Sequence, residues 1–265
     1  MSKTIVVNGC SFTNWNYTWA SRIRDILCAD NQVDSPITFI NKGHKGNSND
    51  VIIPQTLDFV KQLNTNDDII VIMQLTALDR IVVDGQMSPA IGSFLKSLNW
   101  MKWGMSQAET MHTTWEDYFT NEYSEENHIN SLLNNLINFQ NDLKEYENIQ
   151  YKIFCGWDIF TQDTGKSSMW DLKIKYENKK DPLVMSLYES SQDLFEKLDL
   201  DKFWFFENKY IHYGGLSQWV QYNIDTEYWY RNAKKLDFHP SRDAHIIFAN
   251  EVILPIISQM LERKR

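Results

Sequence analysis

Cysteine is scarce in this 265-residue chain, and Cys10, Cys28 and Cys155 are an odd number with no Cys-x-x-Cys spacing. That pattern excludes a disulfide scaffold and a thiolate zinc site, and fits reduced thiols in a cytoplasmic protein. No group of His, Cys and carboxylates has metal-ligand spacing, so neither a metal nor another cofactor is expected. A Gly-x-Gly-x-x-Gly turn and a P-loop are both missing, which removes two common nucleotide sites. Basic residues are outnumbered 26 to 35, a net charge of −9, and the longest basic run is Arg263-Lys264-Arg265. A field of that sign opposes nucleic acid and anionic membrane as partners. No apolar run approaches the roughly 20 residues of a bilayer span. Met1-Ser2-Lys3 leads at once into a short strand, without the apolar segment of a signal peptide. There is no internal repeat and no low-complexity tail.

What is present suits a soluble globular chain: 43% apolar and 23% charged residues, with ten Trp, twelve Tyr and fourteen Phe. Thr4 to Val7 predicts a buried strand, Tyr17 to Ala29 a helix, and Ile37 to Ile40 a second strand. Ser48 or Asn49 caps a helix to about Leu63, with Pro54 as an awkward member. Asp68 to Met73 is continuously apolar after its first residue, as a central parallel strand should be. Further on the pattern predicts helices at 125–147, 184–198 and 241–263, and strands at 151–155 and 203–206. Residues 207–232 read as irregular and ring-rich. The alternation implies right-handed βαβ units, hence a single three-layer α/β/α domain with a short, flavodoxin-like parallel sheet. Residues from about 81–124 and 157–232 break the rhythm and are expected as insertions.

Chemistry concentrates at the first strand's end. Asn8-Gly9 breaks the strand and presents Ser11 where α/β sheets bind ligands. Ser11 then has two readings, a helix cap or a nucleophile. A serine nucleophile needs a base, and that base needs an orienting group. Asp237-Phe238-His239-Pro240 precedes the last helix, with Ser241 ready to cap it. His239 is expected in a βα-type loop on the same sheet edge as Ser11. His245 falls on the following helix and is expected to serve packing.

Gly9-Cys10-Ser11-Phe12-Thr13 resembles the first block of the SGNH (GDSL-like) hydrolases, with Cys10 in place of the usual aspartate. Asn41-x-Gly43-x-x-Gly46 resembles the second block and Asp237-Phe238-His239-Pro240 the last. The resemblance implies the three-layer hydrolase fold, Ser11 as nucleophile, His239 as base, Asp237 as its orienting acid, and an oxyanion hole from the N–H groups of Ser11 and Gly46. Two departures stand out. The block after the central strand is normally Gly-x-Asn-Asp; here Leu78 occupies the Asn position before Asp79, leaving Gln74 or Thr76 as substitute donors. The acid normally lies three residues before the His, which is Leu236 here, whereas Asp237 lies two before.

The expected activity is hydrolysis of an acyl ester, in the first instance an O-acetyl group on a carbohydrate. His44, Asn47, Asp79 and Trp157 are the candidate substrate contacts. Aromatic side chains in 100–115 and 204–230 suit either stacking on sugar rings or filling a core or oligomer interface. Two other readings keep the same residues: acyl transfer to a glycan hydroxyl, and a non-catalytic binding or structural component such as a phage-particle protein.

Overall fold

The computed structural model describes residues 2–14, 16–29, 37–63, 67–78, 82–83, 86–87, 121–122, 124–163, 185–187, 189–209, 211–225, 230–232 and 237–262. Five strands form one sheet in the order β2-β1-β3-β6-β9. They are β1 (Lys3–Asn8), β2 (Ile37–Asn41), β3 (Asp68–Leu75), β6 (Ile149–Cys155) and β9 (Phe203–Trp204), and every pairing among them is parallel. Val6 faces Ile40 on one side and Val71 on the other, and Met73 faces Asn8 and Ile153. The register therefore aligns the carboxyl ends of β1, β3 and β6. In β3, Ile69 through Leu75 are all buried, which is why this strand is apolar without alternation.

The strand order fixes the helix layers. The first crossover, through α1 (Ser11–Asn14) and α2 (Trp19–Ala29), runs from β1 outward to β2. The next, through α3 (Asn49–Lys61), runs back across β1 to β3. Right-handed connections in opposite directions lay their helices on opposite faces. The chain continues through α4 (Glu125–Leu143), which packs on α3. The closing helix α6 (Arg242–Glu262) returns to pack on α2. The connections thus change direction at β1, between β2 and β3, a switch point of the kind at whose carboxyl edge such sheets bind ligands.

Several expectations need correction. A helix over 184–198 does not form. Instead β8 (Met185–Leu187) pairs with β7 (Thr161–Asp163), and only a 3-10 turn at Glu189–Ser191 and a single helical turn at Gln192–Phe195 follow. Met185 and Leu187 are two apart, a strand spacing that the later helical positions masked. Within the supposedly irregular 207–232, residues Leu216–Asn223 form helix α5. Leu216, Trp219 and Val220 are buried at helical spacing, and the Gly215 N–H donates to Gln218 Oε1 at 2.9 Å to start the helix. Pro54 lies inside α3 on its exposed side, where a carbonyl left without a donor meets water. In the segment after β3, β4 (Val82–Val83) and β5 (Gln86–Met87) pair antiparallel; Asp79 and all of 88–120 lie outside the described residues.

The closing helix, 21 residues at Arg242–Glu262, is long and apolar enough to cross a membrane by length and composition, contrary to the expectation. Here it packs Ala244, Phe248, Ile253 and Ile257 into the core. Its middle turn, Ala249–Ile253, is a π-turn. The described rings of the aromatic-rich segment also fill core. Phe248 meets Phe154, Trp204 and Trp219 at centroid distances of 5.3–5.5 Å, and Phe205 stacks on Phe203 and meets Tyr213.

Candidate active site

The turn after β1 is built by close approach. A Cβ on Gly9 would collide with the Thr13 hydroxyl and lie 3.0 Å from Gln74 Cβ, so only glycine lets the turn lie down on β3. The N–H groups of Thr13 and Asn14 donate to the Cys10 carbonyl at 3.0 and 3.2 Å, closing the single turn α1. Beneath it, the Thr13 hydroxyl donates to Gln74 Oε1 at 2.7 Å, and Gln74 Nε2 faces Cys10 Sγ and the Leu75 carbonyl, each at 3.4 Å. Both ends of the Gln74 amide are thus engaged inside the protein, and the side chain is fully buried.

A second loop is stitched to this turn. The Lys42 N–H donates to the Val7 carbonyl at 2.8 Å, and the His44 N–H to the Gly9 carbonyl at 3.1 Å. Asn41 Nδ2 donates to the Thr13 carbonyl, and Asn14 Nδ2 to the Gly43 carbonyl. Gly46 has φ of 80°, the left-handed region that glycine enters without strain. Asn49 then reaches the end of β3: its Oδ1 accepts from the Thr76 N–H at 2.8 Å and its Nδ2 donates to the Thr76 carbonyl at 2.9 Å.

The third contribution comes from 228 residues away. Ser11 Oγ and His239 Nε2 are 2.9 Å apart; with the imidazole proton on Nδ1, the serine O–H donates to Nε2. Ser11 is buried, at 5% exposure, and His239 is half-buried. His239 is not in a βα loop as expected. It lies on β11 (Asp237–Pro240), which pairs antiparallel with β10 (Tyr230–Asn232). Ser241 does cap the next helix, accepting from the Ala244 N–H at 3.0 Å. The Asp237 backbone belongs to β11; its side chain lies outside the described residues.

Phe12 forms the wall of the site. Its ring packs on Trp157 at 4.6 Å and meets the His239 and His245 rings edge-on at 5.4 and 6.0 Å. Trp157 is therefore buried beside the site. His44 is exposed on the loop, its Nδ1 2.9 Å from the Lys45 carbonyl. Asn47 is buried, as are Thr76 and the neighbouring Ser48. Leu78 is half-buried against the core and offers no hydrogen. Among the described residues no group of three or more His, Cys, Asp and Glu side chains could hold a metal ion.

Two titratable groups beside the site carry more weight than their sequence positions suggested. Asp158 follows Trp157 at the carboxyl end of β6. Its carboxylate accepts from the Phe160 N–H at 3.2 Å, the Thr161 N–H at 3.3 Å and the Thr161 hydroxyl at 2.7 Å. Burial pushes this carboxyl up to about 6 against the pull of those donors. Burial, and secondarily Asp158, also holds the Cys155 thiol well above its ordinary range. His245 is buried with no hydrogen-bond partner for either ring nitrogen among the described residues, and burial together with His239 pushes it down to about 3. The sequence signal for Asp158 was its place after a strand ending in Gly156-Trp157. Nothing in the sequence marked the isolation of the His245 ring.

No family model and no curated relative matches the chain. Solved structures do resemble it at low identity. The psychrotrophic esterase EstA from Pseudoalteromonas sp., inhibited by monoethylphosphonate, is 12% identical over 98% of this chain and 99% of that one, with a TM-score of 0.49. A catalytic mutant of the acetylxylan esterase Axe2 from Geobacillus stearothermophilus is 11% identical over 100% and 97%, TM-score 0.44. A lipolytic protein of the G-D-S-L family from Veillonella parvula is 10% identical over 96% and 97%, TM-score 0.38.

Proposed function

We propose that this chain is a serine ester hydrolase in which Ser11 is the nucleophile and His239 its general base. The observation that carries the reading is the 2.9 Å contact between Ser11 Oγ and His239 Nε2 at the carboxyl edge of the sheet. Serine is a poor nucleophile at neutral pH until a neighbouring base takes its proton in the transition state. His239 Nε2 removes that proton as Oγ bonds to the ester carbonyl carbon, and the carbonyl oxygen takes up the displaced electron pair. The N–H groups of Ser11 and Gly46 hold the resulting oxyanion. The protonated His239 then gives its proton to the departing alcohol. Water, deprotonated by the same imidazole, releases the acid and restores Ser11. Asp237 orients the His239 ring through Nδ1.

The proposed substrate is a small acyl ester, in the first instance an O-acetyl group on a carbohydrate. The support is steric: Ser11 is 5% exposed and walled by Phe12 and Trp157, which suits a short acyl chain. Labelling the intact protein with a fluorophosphonate probe and mapping the adduct tests the reading. An adduct on Ser11, absent from His239→Ala, is expected. A folded protein that takes no label overturns it, in favour of a non-catalytic role.

A further inference from the structure

We infer that the side-chain amide of Asn47 donates a hydrogen bond to the oxyanion, a catalytic contact in addition to the two backbone N–H groups. The inference rests on the ester-hydrolase reading and concerns how this particular site stabilises developing charge.

Asn47 is 4% exposed, and its Nδ2 is buried with no acceptor among the described residues. Buried polar atoms without partners are rare, and each one needs a reason. Ser48 Oγ and Thr76 Oγ1 also lack a partner among the described residues, but a hydroxyl rotates to accept as readily as to donate. An amide NH₂ only donates. It therefore calls for an acceptor that the described residues do not supply.

The backbone puts the loop that carries this donor against the nucleophile turn. His44 N–H is tied to the carbonyl of Gly9, two residues before Ser11, and Asn49 is tied on both sides of its amide to Thr76 at the end of β3. Residues 44–49 thus bridge the carboxyl ends of β1 and β3. Asn47 is inside that span, its N–H bonded to the His44 carbonyl at 3.3 Å, directly after the left-handed Gly46. Two of the three alternatives on β3 and after it are closed, and the third, Thr76, offers a hydroxyl that accepts as readily as it donates. Gln74 has both ends of its amide engaged below the turn, and Leu78 carries no donor. A tetrahedral oxyanion accepts more hydrogen bonds than a ground-state carbonyl, so a preset amide of this kind acts mainly in the transition state.

The test compares wild type with Asn47→Ala, Leu78→Asn and the double variant, using p-nitrophenyl acetate, with the thermal midpoint of each recorded. Asn47→Ala should lower kcat by about 10²–10³ with KM changed by less than about threefold. Adding Leu78→Asn should return part of that loss by supplying an amide from the segment that follows β3. Should Asn47→Ala not fold, Asn47→Asp keeps the shape, removes the donor and should lose at least as much. A kcat within about threefold of wild type in the folded variant, or a loss confined to KM, overturns the inference alone. Wild-type protein that neither hydrolyses the ester nor labels on Ser11 overturns the functional reading, and this inference with it.

Discussion

Ser11 Oγ lies 2.9 Å from His239 Nε2, although 228 positions of chain separate the two residues. One side chain opens the turn that follows the first strand of the sheet; the other lies on β11, just before the last helix. If the contact is catalytic, Ser11→Ala and His239→Ala should each lower p-nitrophenyl acetate hydrolysis by roughly 10⁴-fold or more, because such pairs act as a unit. Initial rates on the purified variants check this. An undiminished rate in either variant would sink the pairing.

The hydrogen bond from Thr13 to Gln74 holds the nucleophile turn to β3. Thr13→Val keeps the shape and removes the hydroxyl, leaving the buried Gln74 carbonyl without its donor. The expected loss of stability is about 1–3 kcal/mol, the desolvation cost of one orphaned buried group. Urea unfolding monitored by tryptophan fluorescence measures it. An unchanged midpoint would mean that the amide turns to another donor.

Asp158 is an acid whose folded value, about 6, stands above its ordinary 3.8. Between those values the folded chain binds more protons than the unfolded one, so stability falls as pH rises from about 4 to 6. Above 6 the buried charge is present in full and costs about 3 kcal/mol, a difference of about two pH units. Asp158→Asn keeps an acceptor for the Phe160 and Thr161 N–H groups without the charge. Relative to wild type it should gain stability at pH 7.5 and lose that advantage at pH 4. An advantage that does not vary with pH would contradict the assignment.

His245 works in the opposite direction. Its folded value is about 3 against an ordinary 6.5, so the unfolded chain binds the extra proton throughout that interval. Its contribution is fully present above 6.5 and is lost as pH falls, by about 2 kcal/mol at pH 5. His245→Leu removes the titrating ring from a site where neither nitrogen has a partner among the described residues. Going from pH 7.5 to 5, the variant should gain about 2 kcal/mol on wild type in urea unfolding. Equal slopes would show that the ring takes up its proton without penalty.

The parallel sheet was legible because its strands announce themselves: Ile69 to Met73 is buried on both faces, and a doubly buried strand has to be apolar throughout. Leu216, Trp219 and Val220 carried a helical spacing, but the surrounding rings concealed it. Met185 and Leu187 lay where a strand and a helix start look alike over three residues, and pairing with Thr161–Asp163 decided between them.

The residues of the candidate site were nameable in advance, since Ser11, Gly46 and His239 each stand in a short, chemically distinctive context. What each side chain touches was not. Gln74 was a candidate donor until the fold engaged its amide beneath the nucleophile turn, and Asn47 was a candidate substrate contact until the fold buried its amide with no acceptor among the described residues. By itself the sequence determined the positions of the parallel strands, the glycine turns and the identity of the reactive groups, because these depend on local sterics and on which atoms a side chain carries. Only the tertiary structure decided the Ser11–His239 distance, the burial behind the shifts of Asp158 and His245, and which polar atoms remain unpaired. Those depend on residues brought together from opposite ends of the chain.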